Sequence, residues 1–143
     1  MTSLNVHRER IAEHLQVIAD AIAVGIERRP ATIGLHASAC SIDLLELYLH
    51  ISGNISAGAV IKHEWFKAPK PEQKILHLAE RKLGGIFPDK EKVLRLMYII
   101  EEHRNKLIYG KPSLGGIEMV LRTFQQLYTL LKDKLKEKEI YLE

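Results

Sequence analysis

Apolar residues recur every three or four positions through most of this chain and almost nowhere alternate, which is the pattern of helices rather than strands. In residues 3–29, Ile11, Leu15, Ile18 and Ile22 form one stripe, extended by Ala19 and Ile26, while Arg10, Glu13 and Asp20 occupy the opposite face. Pro30 ends this helix and can open the next, because the first turn of a helix does not use the missing N–H. Residues 31–52 are apolar nearly all round, through Ile33, Leu35, Ala37, Cys40, Ile42, Leu44, Leu45, Leu47, Leu49 and Ile51. Such a helix is packed on several sides and belongs at the centre of a bundle. Gly53-Asn54 supplies its stop.

The signal weakens between residues 55 and 83. The spacing predicts a short helix over Ile55–Phe66, broken by Lys67-Ala68-Pro69-Lys70-Pro71. Pro71 then opens a helix through Ile75, Leu76, Leu78, Ala79 and Leu83, stopped by Gly84-Gly85. A long helix over Pro88–Tyr109 carries Val93, Leu96, Met97, Ile100, Leu107 and Ile108 on one stripe. Ser113 caps a last helix that packs through Ile117, Val120, Leu121, Phe124, Leu127, Leu131 and Leu135. The mixed charges of residues 132–139 suit a solvated helix end. The expected fold is all-α: an up-and-down antiparallel bundle of four long helices plus one or two short ones, forming a single domain over residues 1–143.

Composition narrows the classes. With 46% hydrophobic residues in 143, the chain is not a disordered one, and its net charge of +3 is compatible with an anionic partner without demonstrating one. The lone Cys40 rules out an intrachain disulfide and a cysteine-based zinc site. The first ten residues lack the apolar core of a signal peptide, and the most apolar stretch, Ile33–Ile51, is interrupted by His36, Asp43, Glu46 and His50. A soluble, cytoplasmic protein with no membrane association is expected.

Common catalytic patterns are absent. Gly84-Gly85 and Gly115-Gly116 lack the Lys-Ser/Thr of a phosphate-binding loop, there is no His-Glu-x-x-His, and the seven histidines are scattered. Glu46 and His50 stand one turn apart and could share a metal, but such a pair is more often a polar patch, so no metal and no cofactor is expected. Two features remain. His36, Asp43 and His50 follow one another at seven-residue steps on the greasy second helix, with Glu46 on the same side, and this stripe must face water, a cation or an interface. Arg104 lies in line with the core stripe of its helix and, always charged, needs a carboxylate, a phosphate or a solvated cleft; Asp43 and Glu46 are the most economical internal partners. Lys62, His63, Trp65, Lys67 and Lys70 interleave charge with an aromatic ring, as single-stranded nucleic acid binding would use; a connector whose Trp65 packs back onto the bundle is the plainer reading.

The run Glu102-His103-Arg104-Asn105-Lys106-Leu107-Ile108-Tyr109-Gly110 resembles the signature of the HEPN superfamily, small helical bundles with an Arg, commonly a following Asn, and a His after four to six intervening residues. Arg104 and Asn105 match its start, and Tyr109 stands where the histidine is expected. The resemblance implies a homodimer whose motif helices form a cleft for RNA or a nucleotide. It also implies metal-independent ribonuclease chemistry in active members, and in some members a nucleotidyltransferase partner in a toxin–antitoxin pair. Arg104 would hold the phosphate, Asn105 would position it, and Tyr109 would replace the proton-transfer residue, with Asp43, Glu46, Lys106 and Lys111 as further binding residues. A phenol titrates near about 10 and an imidazole near about 6.5, so the replacement favours a binding member with weak or no cleavage over a competent endoribonuclease. The competing class is a non-catalytic protein–protein interaction module in which Arg104 is structural.

Overall fold

The computed structural model describes residues 4–56, 58–69 and 77–142. Its helices are α1 (Leu4–Val24), α2 (Pro30–Ile51), the five-residue α3 (Leu78–Lys82), α4 (Lys90–Ile108) and α5 (Leu114–Glu137), with single 3-10 turns at Ile26–Arg28 and His63–Phe66. The four long helices make the expected all-α bundle, and no strand occurs among the described residues. No helix among them is long and apolar enough to cross a membrane.

α2 is the central helix, as its all-round apolar composition predicts; Ile33, Ala37, Cys40, Leu44, Leu45, Leu47 and Leu49 are buried against α1, α4 and α5. Pairings across the seams give the directions. His7 and His14 of α1 meet Asp43 and His36 of α2, Gly34 at the start of α2 meets Leu107 near the end of α4, and Asp89 before α4 meets Lys134 late in α5. Long helices that succeed one another along the chain therefore run antiparallel, as an up-and-down bundle requires, and α2 and α5, which also pack together, run parallel. Ser113 caps α5 as predicted, its hydroxyl oxygen accepting from the Gly116 N–H at 3.0 Å.

Four expectations are corrected. α1 ends at Gly25, whose φ of 122° no helix holds, so Pro30 only opens α2. Ile22 is 49% exposed; the α1 stripe that faces the bundle is His7, Ile11, Ile18 and Ala21. Among the described residues between 55 and 62 there is no helix, and only His63–Phe66 makes a helical turn. Lys134 is buried rather than part of a solvated tail, its ammonium donating to the Asp89 carboxylate at 2.8 Å. The start of the helix expected from Pro71 lies outside the described residues.

Gly34 sets how closely α2 and α4 approach. A Cβ there would stand 2.9 Å from the Leu107 Cβ and 3.4 Å from the Arg104 carbonyl oxygen, neither of which is the free end of a flexible chain. Gly34→Val is expected to cost about 1–3 kcal/mol through overpacking and to lower the melting temperature by several degrees, read by circular dichroism. An unchanged melting temperature would mean that the helices separate freely at this point.

Candidate functional site

Two polar stripes face each other across the seam between α1 and α2. On α1, His7, Arg10 and His14 recur at steps of three and four; on α2, His36, Asp43, Glu46 and His50 follow at steps of seven, three and four. Antiparallel packing lays one on the other. Asp43 is the hub. One of its carboxylate oxygens accepts from Arg10 at 2.8 Å and from the His7 Nδ1 at 3.3 Å, while the other lies 3.7 Å from His14 Nε2. Burial pushes the Asp43 carboxyl up, but the bonds from His14, Arg10 and His7 and the Arg10 charge outweigh it and hold the group below its ordinary value. His14 and His36 share a hydrogen bond between their Nδ1 atoms at 2.8 Å, so one donates and the other accepts; burial, then the neighbouring His14, lowers the His36 pKa.

At the other end of the seam, α2 side chains hold the connector. The Glu46 Oε2 accepts the Ile61 backbone N–H at 2.9 Å, and His50 Nε2 donates to the Ala59 carbonyl at 3.0 Å. These bonds give a reason why residues 59–61 are not helical: α2 side chains take the Ala59 carbonyl and the Ile61 N–H, groups that a helix would pair internally. His7 Nε2 is buried, without a hydrogen-bond partner, 3.6 Å from Glu46 Oε1, and one ligand atom each of His7, Glu46 and His50 lies within 4.8 Å of the others.

A cleft of about 460 Å³ opens beside this seam. Leu35, Ala39 and Ile42 of α2 and Val60 and Ile61 of the connector give it an apolar floor; Arg10, Lys62, His63 and Arg104 bring nitrogen groups to it, and Asp43, Glu46 and Glu64 bring carboxylates. Among the described residues Lys62 and Arg104 have no carboxylate within ion-pair distance; the Arg104 guanidinium donates to the Asn105 side-chain oxygen at 2.9 Å. His63 Nδ1 donates to the buried Glu101 at 3.0 Å, which fixes the ring at the cleft wall. Burial raises the Glu101 pKa, and the His63 bond with the Arg104 charge offsets only part of that.

The structure brings Arg104, Asp43 and Glu46 to this one cleft, but not as ion-pair partners. Asp43 is taken by Arg10 and Glu46 by the Ile61 N–H, so the internal pairing expected for Arg104 is replaced by its bond to Asn105. Tyr109 caps α4 at 80% exposure, and neither it nor the exposed Lys106 and Lys111 lines the cleft. Trp65 packs against the core beneath the Lys82 ammonium, which sits 5.8 Å from its ring centroid, so it offers no free stacking platform. Sequence reasoning missed His7, Arg10 and His14 as site residues and put Arg10 on the face opposite the core; it named His63 only within a basic, aromatic-bearing connector. The signal was present in part: His7 and His14 are separated by the same seven residues as His36, Asp43 and His50.

No protein-family model matches the chain, and comparison with curated proteins and with solved structures gives no significant match.

Proposed function

We propose that the cleft binds a phosphate group of RNA or of a nucleotide, with Arg104 as the gripping residue, in the manner of HEPN-like proteins. The observation that carries this reading is a guanidinium set into the wall of a cleft with no carboxylate partner among the described residues. An arginine presents a planar fork of donors that fits phosphate oxygens. Asn105 holds one arm of that fork, and Lys62 is a second cation on the same cleft with no carboxylate within ion-pair distance among the described residues. Arg10, bound to Asp43, contributes positive field rather than free donors. The apolar floor suits a base or sugar beside the phosphate.

Tyr109 does not line the cleft, which supports a binding protein of weak or no ribonuclease activity over a nuclease that uses the phenol. His63, fixed by Glu101, is the imidazole that faces the same space. The resemblance extends the proposal to a cytoplasmic homodimer and to a nucleotidyltransferase partner in a toxin–antitoxin pair. The protein–protein alternative keeps the same surface and makes Arg104 an interface pin.

Fluorescence anisotropy with a labelled single-stranded RNA, in EDTA and over a salt series, tests the phosphate reading. Two phosphate contacts, from Arg104 and Lys62, give a slope of log affinity against log salt of about −1.4. A nucleoside monophosphate competes, and gel analysis of the same samples shows little or no cleavage. Absence of binding at low salt, for RNA and nucleotide alike, overturns the proposal.

A further inference from the structure

We propose that His7, Glu46 and His50 form a binding site for one divalent transition-metal ion of the zinc class, at the α1–α2 seam on the border of the cleft. The hydrogen bonds around the three residues leave each with one spare electron pair. His7 Nδ1 is 3.3 Å from the Asp43 carboxylate, which can only accept, so the proton is on Nδ1 and Nε2 carries the lone pair. His50 Nε2 is 3.0 Å from the Ala59 carbonyl oxygen, also an acceptor, so its proton is on Nε2 and the other ring nitrogen carries the lone pair. Glu46 spends Oε2 on the Ile61 N–H and keeps Oε1. One ring nitrogen or carboxylate oxygen from each of the three residues lies within 4.8 Å of those of the other two, and His7 Nε2 is 3.6 Å from Glu46 Oε1.

Two observations point to a ligand rather than to an ordinary polar patch. The first is His7 itself, 1% exposed, with Nε2 buried and unpartnered next to Glu46. A proton on that nitrogen would have to reach Glu46 Oε1 at 3.6 Å, beyond a hydrogen bond, and leaving a buried donor unmet is costly. The second is the spacing: two ligands at about 2.0–2.1 Å from a tetrahedral ion stand about 3.4 Å apart, close to the 3.6 Å found. The surroundings match as well. A carboxylate on the far nitrogen of one histidine and a backbone carbonyl on that of the other are the usual outer partners of metal-bound imidazoles, fixing tautomer and ring orientation. Two imidazoles and one carboxylate select a first-row transition metal over calcium or magnesium, and three protein ligands leave a coordination position open. None of the three is Arg104, so the metal and phosphate readings fail independently.

The full chain, stripped with EDTA and exchanged into chelator-free buffer, is titrated with Zn²⁺ by calorimetry and with Co²⁺ by visible absorption. The expected result is one ion per chain, with the intense visible bands of low-coordinate Co²⁺. Affinity falls about 100-fold or more in His50→Ala and in Glu46→Gln and is unchanged in His103→Ala, a histidine outside the cleft. His50 is only half-buried, and the amide introduced by Glu46→Gln keeps a carbonyl acceptor for the Ile61 N–H, so both variants are expected to fold, which circular dichroism checks. Failure of the wild-type chain to bind either ion overturns the proposal, and so does undiminished binding in a folded His50→Ala or Glu46→Gln variant.

Discussion

Asp43→Ala is expected to destabilise the bundle by about 2–3 kcal/mol, measured by urea denaturation in EDTA at neutral pH. The carboxylate is the single acceptor on which Arg10, His7 and His14 converge, and its side chain is only 11% exposed. Removing it leaves a buried imidazole N–H and a guanidinium with nothing to accept from them, and unmet buried donors cost more than a made hydrogen bond contributes. Breaking a fully buried ion pair costs about 3–5 kcal/mol. The Arg10 side chain is 44% exposed, so water replaces part of what it loses and the expected figure is lower. In a double mutant with Arg10→Ala the two losses overlap, giving less than their sum. A loss below about 0.5 kcal/mol would show that the seam is solvated and that Asp43 holds nothing together.

This convergence also marks where reading the sequence stopped. α2 was legible as the central helix because its apolar residues occupy nearly every direction around the axis, and α5 was legible from its stripe and the Ser113 cap. Both depend on information held within one helix. The polar stripe of α2 was visible too, but the periodicity of α2 says nothing about what lies opposite. Its partners, His7, Arg10 and His14, come from α1, where the same periodicity assigned Arg10 to solvent. A long arginine crosses from the edge of a helix to a neighbour's carboxylate, so a side chain can belong to a seam while its Cα sits on the outside. The connector at residues 55–62 failed for a related reason: Glu46 and His50 take its backbone groups, and those contacts are specified in α2. Arg104 was found from its place in the core stripe of α4, but its expected partners were already committed elsewhere. Arg104 instead bonds to Asn105, and its charge acts on Glu101 and Glu64 without a close ion pair among the described residues.

The largest functional effect is expected for Arg104→Ala. If Arg104 supplies one charge-assisted contact of about 1.5–3 kcal/mol to a phosphate, the variant binds single-stranded RNA about 10–150-fold more weakly. The salt dependence falls by about 0.7 in slope, because one phosphate contact is gone. Arg104→Lys recovers part of the affinity, since it restores the charge but not the planar fork. Stability is expected to stay within about 1 kcal/mol of wild type, because Arg104 makes no close ion pair among the described residues, its hydrogen-bond partner Asn105 is exposed, and the buried Glu101, deprived of the Arg104 charge, keeps the His63 bond.

The most direct measurement is therefore the RNA affinity of Arg104→Ala beside wild type, in EDTA, with both proteins' unfolding curves recorded from the same preparations. A large loss of affinity with superimposable unfolding curves is the predicted result. Equal affinity in the two proteins, or an Arg104→Ala variant that loses its stability along with its binding, would contradict a phosphate-gripping Arg104.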